Sequence, residues 1–595
     1  MNVGRIVRTV RYLKLCQIWF QVWRRVQRRF EAHPKCAADE LPQFTFLNLT
    51  ATPKGWNDES LDMLWRYNLH YFDWIGNRVE HVERVEMGGK PQIGTNRHKF
   101  EDEFCEDKCG FVVNSRVEHV DHVEFLERWI RENPRGSVPG WDPYPTSLRI
   151  VNWVKWLENC VGRRMDTKPQ IGTNRHKSED EFCEDKCGFV VKGKFIEGSI
   201  RAQVEWLGGH VEWHIMANHL MANLKALIIG NRYLGRDYGR WMRLYREQIA
   251  EQILPDGGHF ERSVMYHAII FEDVLDVIRF CGDEATWLRP VAAKMLRFLV
   301  NMTGPDGKIA MFNDAADGIA KPTEWLREYA RRLGIEAPEP EPFVDFPNTG
   351  YTRMTAGDFV LFVDSGAIGP DYQPGHAHAD TLTYELYWKG RKIVTDTGTS
   401  EYRGKRRAYE RSTAAHNVVE INGRNSSEVW SSHRVGARAR IVERVVEPGR
   451  VMAAHDGYGE KVGRVLTLTE EGLTVAEKVE GRGKCVTRVH LTEEGVYRLE
   501  CVGERGNLGP QIDTNQHKPG DGICEDQCGF AVKDKVGGGE EKWEREEFEY
   551  AVEFGKLEKG MCLAWRFDAP GEFTYTIKAK NDILYFQSQR TQRSC

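Results

Sequence analysis

A helical first half followed by an antiparallel β-sandwich is the fold this sequence predicts, on three observations. Apolar residues recur at three- and four-residue spacing through much of residues 55–335, the period of helices with a buried face. From about 345 the character changes to short alternating runs rich in Val, Thr and Tyr, separated by Gly, Asp and Asn, as antiparallel strands require. Between them lies Glu336-Ala-Pro-Glu-Pro-Glu-Pro, an acidic, proline-rich stretch that reads as a linker over 336–344. Length agrees, because 595 residues exceed what one core usually supports.

Residues 1–54 read as a segment of their own. Met1 to Phe30 is basic and amphipathic, with charges breaking every apolar stretch. It shows neither the continuous apolar core nor the small-residue cleavage site of an export signal, which by sequence points to the cytoplasm. Nowhere do about 18 apolar residues run together, so no transmembrane helix is expected. The segment should dock as helix on its own domain, with peripheral contact to an anionic membrane surface as the alternative. A formal charge of −5 and the lack of a further basic tract give nucleic acid little electrostatic hold.

In the helical half, Trp206–Gly230 predicts one helix that stops on its glycine, and Tyr266–Phe280 predicts another after the loop Leu254-Pro-Asp-Gly-Gly. Of the 18 Trp in the chain, 12 fall in this half, either as core filler or as faces on which sugar rings stack. Asn218-His219 lies on an otherwise apolar helix side, and Tyr266-His267 opens the next helix. Polar pairs there cost free energy unless hydrogen bonded, so they should face a cleft or tie two helices together.

Three near-copies of one sequence interrupt the chain. Lys90–Val113 recurs at Lys168–Val191 with only Phe100 changed, to Ser178, and a degraded copy runs from Pro510 to Val532. Their irregular spacing excludes a solenoid. Each carries a Cys-x3-Cys pair, Cys105/Cys109, Cys183/Cys187 and Cys524/Cys528, which raises zinc as an option. The knuckle is longer than a finger's and no second pair matches it, so a tolerated surface insertion is the preferred reading. The other eight of 14 Cys have no framework spacing, so this is not a disulfide scaffold.

Strands are predicted at Val360-Leu-Phe-Val, Leu382-Thr-Tyr-Glu-Leu, Lys392-Ile-Val-Thr and Val418-Val-Glu-Ile, within a domain spanning 345–595. Just before the second comes Gly375-His-Ala-His-Ala-Asp, which looks like a strand with imidazoles at its mouth. Side chains at i and i+2 of a strand share a face, so His376 and His378 can reach one ligand or metal. Asp396, Tyr402 and His416 follow, and together these point to a metal or catalytic cluster.

These residues, with Tyr67-Asn-Leu-His-Tyr-Phe-Asp, Trp141-Asp-Pro-Tyr-Pro-Thr-Ser-Leu-Arg-Ile-Val-Asn-Trp, Asn218-His-Leu-Met-Ala-Asn and Leu254-Pro-Asp-Gly-Gly-His-Phe-Glu-Arg-Ser-Val-Met-Tyr-His, resemble the heparinase II/III-like polysaccharide lyases and related alginate lyases. The resemblance implies an incomplete α/α toroid followed by a β-sandwich, a bacterial cell-envelope or periplasmic setting, and β-elimination on an acidic, uronate-containing polysaccharide. Such chemistry needs donors that neutralise the uronate carboxylate, a base for the weakly acidic C5 hydrogen and an acid for the leaving O4. Carried over, Asn218 resembles the carboxylate neutraliser, His219 the base, and Tyr266 the acid, or both acid and base on the other C5 epimer. His376 would assist at the carboxylate, with Tyr402 nearby, and no organic cofactor is implied. His378, Asp396 and His416 resemble the structural zinc triad of heparinase II members. The three inserts depart from the family pattern.

Two other readings stay open. A glycoside hydrolase would need two carboxylates about 5–10 Å apart, and Glu212, Asp256 and Glu261 are available near the helical cluster. A catalytically silent glycan-binding or exopolysaccharide-biosynthesis protein would follow if the inserts have spoiled the cleft.

Overall fold

The structure, a computed structural model, describes residues 3–31, 34–36, 39–76, 122–165, 181–492, 497–501, 543–580 and 583–590. Two short helices, α1 (Val3–Val10) and α2 (Leu15–Phe30), precede a hairpin of β1 (Phe44–Phe46) and β2 (Leu49–Ala51). Helices α3 (Met63–Tyr71), α4 (His122–Glu132), α5 (Pro143–Met165), α6 (Glu181–Gly209), α7 (Ala217–Tyr233), α8 (Gly239–Gln252), α9 (Val264–Cys281), α10 (Arg289–Asn301) and α11 (Thr323–Arg332) follow. The odd members from α3 to α11 pack in succession as an inner row, with α4, α6, α8 and α10 against them outside. This is an incomplete α/α toroid.

Tryptophan supplies much of its filling: Trp56, Trp129 and Trp153 are fully buried and pack with Phe72 or Phe125, and Trp65 packs edge-on to Phe46. These are core residues, not sugar platforms. Every residue of α7 from Ala217 to Asn231 is buried except His219. A helix apolar on all sides belongs in a core, so the one side chain that escapes marks an opening.

The continuous helix expected over Trp206–Gly230 is instead two, broken between Gly209 and Ala217. Left-handed backbone at Met216 (φ 65°) and Ala217 (φ 50°) turns the chain there. Gly230 is no stop, since α7 runs on to Tyr233; a Cβ at Gly230 would lie 2.5 Å from Val204 Cγ2, so the glycine lets α6 and α7 approach. Helix α9 starts where Ser263 caps it, the hydroxyl accepting the Tyr266 N–H at 3.2 Å.

Of the inserts, Lys90–Val113 and Pro510–Val532 lie outside the described residues, as do 168–180 and the side chains of all three Cys pairs. Residues 181–191, expected to be surface loop, form the beginning of α6.

The sandwich begins at β3 (Phe343–Phe346), inside the predicted linker. The preceding Glu341 is tied back to the toroid by Arg297 at 2.7 Å and Asn301 at 3.2 Å. Strands β4 (Tyr351–Ala356), β5 (Phe359–Asp364), β6 (Tyr384–Trp388) and β7 (Arg391–Val394) complete one antiparallel layer in the order β3-β4-β5-β6-β7. After helix α12 (Gly404–Glu410), β8 (Val419–Ile421) and the pair β9 (Val429–Trp430) and β10 (Arg434–Val435), the second layer follows. It is built on β11 (Ile441–Glu447), β12 (Arg450–His455), β13 (Val462–Thr469), β14 (Gly472–Thr492), β15 (Tyr497–Cys501), β16 (Trp543–Glu553), β17 (Lys556–Lys580) and β18 (Ile583–Arg590). All pairs are antiparallel except β15 with β18.

Strand β5 has no solvent face. Phe359, Leu361 and Val363 enter the sandwich core, while Val360 and Phe362 join the helical core with Phe346 and Tyr351. Burial on both sides explains why the run is continuously apolar. Polar contacts reinforce the junction: Asp256 accepts from the backbone N–H of Asn348 and Thr349 at 2.8 and 2.7 Å, and Arg262 Nε donates to Thr349 O at 2.9 Å. The site described next straddles this fixed seam.

Candidate active site

Five side chains from four segments meet at the seam. Asn218 and His219 stand at the start of α7, Tyr266 in the first turn of α9, His376 in the β5–β6 connection, and Tyr402 between β7 and α12. The Tyr266 ring stacks on the His376 imidazole with centroids 3.8 Å apart, and its hydroxyl lies 2.8 Å from that of Tyr402. Asn218 Nδ2 is 3.2 Å from His376 Nε2. The sequence-predicted residues Asn218, Tyr266, His376 and Tyr402 are therefore one cluster. His219 faces the same opening, packed against Tyr144 with ring centroids 4.5 Å apart. His267, beside Tyr266, is elsewhere: it is buried and bonded to Met295 O at 3.0 Å, tying two helices.

The backbone around the cluster is strained. Five of the eleven non-glycine residues with left-handed φ among the described residues lie here: Met216 and Ala217 beside Asn218, Arg262 beside Glu261, Asn313 beside Asp314, and Leu382 close to Asp380. Such positions cost of order 1–3 kcal/mol each and persist where surrounding structure holds them.

Each polar side chain of the cluster is held from behind. His219 Nδ1 bonds Glu212 Oε1 at 3.1 Å, and Glu212 also accepts from Asn223 at 3.1 Å. Burial disfavours the imidazolium of His219, yet the adjacent Glu212 carboxylate outweighs that and raises its pKa above the ordinary 6.5. Asn218 Nδ2 donates to Glu261 at 2.9 Å, and burial pushes the Glu261 carboxyl up. Burial, with Tyr402 adding to it, also lifts the Tyr266 hydroxyl well above the usual phenol range, so Tyr266 keeps its proton at neutral pH.

Behind His376 sits a residue that no sequence pattern marked. Asp314 accepts from His376 Nδ1 at 2.8 Å and His378 Nε2 at 2.7 Å, from Thr399 at 3.0 Å, and from both terminal nitrogens of Arg407. Burial alone would raise its pKa, but Arg407 and the two imidazoles hold it well below the carboxylate range. Taking the Nδ1 proton leaves Nε2 of His376 as the nitrogen toward Asn218 and Tyr266. His376 and His378 thus do reach one group, although 375–383 is an irregular connection and β6 starts only at Tyr384. They then diverge, His376 to the cluster and His378 to a second, fully buried pocket.

In that pocket His378 Nδ1, Asp380 Oδ2 and His416 Nε2 are buried without a hydrogen-bond partner. One ligand atom from each of the three residues lies within 4.8 Å of the others. Two imidazoles and a carboxylate suit zinc. Burial drops the His378 pKa to about 3, so it is neutral as ligation requires, and lifts the Asp380 carboxyl to about 6, a cost that a cation would relieve. Asp396 does not join them as third ligand. It accepts from His416 Nδ1 at 2.9 Å and from Thr383 at 3.0 Å, orienting the imidazole from behind.

The carboxylates open to a hydrolase are otherwise employed. Asp256 holds the 348–349 backbone, Glu212 holds His219, and Glu261 holds Asn218. Tyr144, Glu261 and Asp380 lay inside sequence motifs already noted, while Asp314 and Arg407 lay in none.

Two family models match the chain in order: Heparinase II/III N-terminus over residues 115–334 and Heparinase II/III-like, C-terminal over residues 338–592. A heparin-sulfate lyase of Bacteroides stercoris is 22% identical over 249 residues, 36% of this chain and only 37% of that protein. Among solved structures, heparinase III superposes with TM-score 0.53 at 15% identity, covering 79% of each chain. A mutant of the heparan sulfate lyase HepC from Pedobacter heparinus gives 0.50 at 16%, covering 79% of this chain and 73% of that one. At such identities the structural likeness speaks for the toroid-and-sandwich fold. With both halves matched, the chain belongs to the heparinase II/III-like family.

Proposed function

We propose that this protein is a polysaccharide lyase that cleaves a uronic-acid-containing polysaccharide by β-elimination, with glycosaminoglycans the first class to test. The single observation that carries the proposal is the stack of Tyr266 on His376 at 3.8 Å, with Asn218 3.2 Å from the same imidazole. It brings a neutral phenol, an amide and an imidazole around one spot, where among the described residues the carboxylates of Glu261 and Asp314 are engaged by Asn218 and by His376 with Arg407.

In this reading Asn218 donates to the uronate carboxylate, with His376 assisting beside it, lowering the cost of charge at C5. His219, once deprotonated, removes the C5 proton. Tyr266 passes its proton to the departing O4. Tyr402 steadies the Tyr266 hydroxyl. Glu212, Glu261 and Asp314 are positioning residues for His219, Asn218 and His376. His378, Asp380 and His416 would hold a structural zinc, which when bound supplies fixed positive charge and cross-links the His376 connection to the His416 segment.

The test is incubation with a panel of uronate polysaccharides followed by ultraviolet absorbance. Elimination leaves a conjugated, absorbing uronate. Saturated products would sink the lyase reading in favour of a hydrolase, and no product from any polymer would favour a silent glycan-binding role.

A further inference from the structure

Charge and apolar surface coincide in residues 1–30, which carry eight Arg or Lys side chains and no Asp or Glu in a chain whose net charge is −5. One side of this segment is fastened to the body. Arg5 and Arg8 pair with Glu428 at 3.0 and 2.7 Å, Lys14 pairs with Glu251, and Trp430 Nε1 donates to Thr9 at 3.2 Å. The guanidinium of Arg438 covers the Tyr12 ring at 3.8 Å.

The other side is apolar and bare. Val3, Val7 and Val10 form a stripe along α1, and Leu15, Ile18, Trp19, Val22, Trp23 and Val26 form one along α2 at helical spacing. Leu15 is 85% exposed, Trp19 64% and Trp23 52%. Of the exposed large apolar side chains among the described residues, nine lie between Val3 and Val26 and the other eight are scattered over the rest. A concentration of this kind marks a docking face, whereas single exposed apolar residues are ordinary.

We propose that α1 and α2 attach the protein to an anionic lipid bilayer, lying in the plane of the headgroups with Trp19 and Trp23 at the interface. Three features favour lipid. The 16 residues of α2 are too short and too charged to span a bilayer, which takes about 20 apolar residues, but suit the interface. Arg25 and Arg29 are exposed beside the stripe, where anionic headgroups would meet them. Pairing this face with a second copy of the chain would instead set two purely basic segments against each other. The attachment also has a consequence for the site. The loop gripped through Glu428 and Trp430 carries His433, whose ring centroid is 6.3 Å from that of His376 and 5.6 Å from that of Tyr402, so the attached segment and the cleft share one loop.

The experiment is co-sedimentation of the full chain with vesicles of phosphatidylcholine and phosphatidylglycerol in a two-to-one ratio, against phosphatidylcholine alone. Binding to the anionic vesicles with blue-shifted tryptophan emission, weakened by salt, is the expected result. Arg25→Glu with Arg29→Glu should weaken partitioning by at least about tenfold, since each charge near an anionic surface is worth about fivefold. Trp19→Ser with Trp23→Ser should weaken it at least as much. Should that double variant fail to fold, the arginine pair, exposed and outside any core, still decides. No binding to anionic vesicles, equal binding to neutral ones, or a dimer in solution that Trp19→Ser with Trp23→Ser dissolves would each overturn the proposal.

Discussion

Tyr266 and Tyr402 share a hydrogen bond of 2.8 Å across the seam, one hydroxyl carried by the toroid and the other by the sandwich. Neither domain alone could keep the phenol of Tyr266 over the His376 ring and at a fixed angle.

Tyr266→Phe keeps the ring and its stack but removes the proton. Turnover should fall about 100-fold or more, in line with the roughly 10²–10⁴-fold of general acid–base catalysis, while the melting temperature stays near wild type. Tyr402→Phe should fall less. Full activity in Tyr266→Phe, measured as unsaturated product, would remove Tyr266 from the mechanism.

Glu212→Gln tests the base. His219 has a raised pKa because of Glu212, so the acid limb of kcat/KM in wild type should lie above 6.5. Without that carboxylate burial is opposed only by the weaker pull of Glu261, and the limb should move to lower pH with the plateau retained. Activity abolished at every pH would show that Glu212 itself is the acid of a hydrolase.

Asn in place of Asp314 leaves Arg407, 1% exposed, without its counter-ion. Breaking a buried pair costs about 3–5 kcal/mol, readable by denaturant unfolding at neutral pH. The pKa of Asp314 is depressed in the fold, so its contribution is full above the ordinary 3.8 and fades as pH falls below that value. The stability gap between wild type and variant should therefore narrow in that acid window. A gap independent of pH would mean that Asp314 acts through packing alone.

Metal analysis of wild type should find about one zinc per chain, lost in His416→Ala and Asp380→Asn with a fall in melting temperature. Asp396→Asn should still bind, about 10–100-fold more weakly, because Asp396 orients His416 from behind. Zinc retained by Asp380→Asn and lost by Asp396→Asn would reverse their roles.

Much of this site was legible before the fold. Asn218, His219, Tyr266 and His376 sit in local motifs, and a polar pair on the apolar helix α7 needs a reason that sequence can register. Asp314 could not be found that way. Its loop has no periodicity, and its partner Arg407 is 93 residues on, so only tertiary approach makes the pair. Asp380 was in view within the His376 motif, where a strand reading even sets it on the face of His376 and His378, but the family resemblance pointed to Asp396 instead. The irregular connection, with Leu382 at φ 76°, decides which carboxylate reaches the imidazoles. Gly230 shows the same limit: a glycine that stops a helix and one that admits a neighbour look alike until Val204 is seen 2.5 Å from where its Cβ would stand.

Strand β5 serves as a party wall, and that governs how the cleft can work. Pulling the domains apart would wet Val360 and Phe362 on one side and the helical residues they cover on the other, so the halves should melt in one transition. Under the proposed function a glycan would then enter between walls that are already set. For the same reason neither half is a sensible unit to produce alone, because a cut at Glu336 would leave one partner with a naked sheet face and the other with an unroofed helical core.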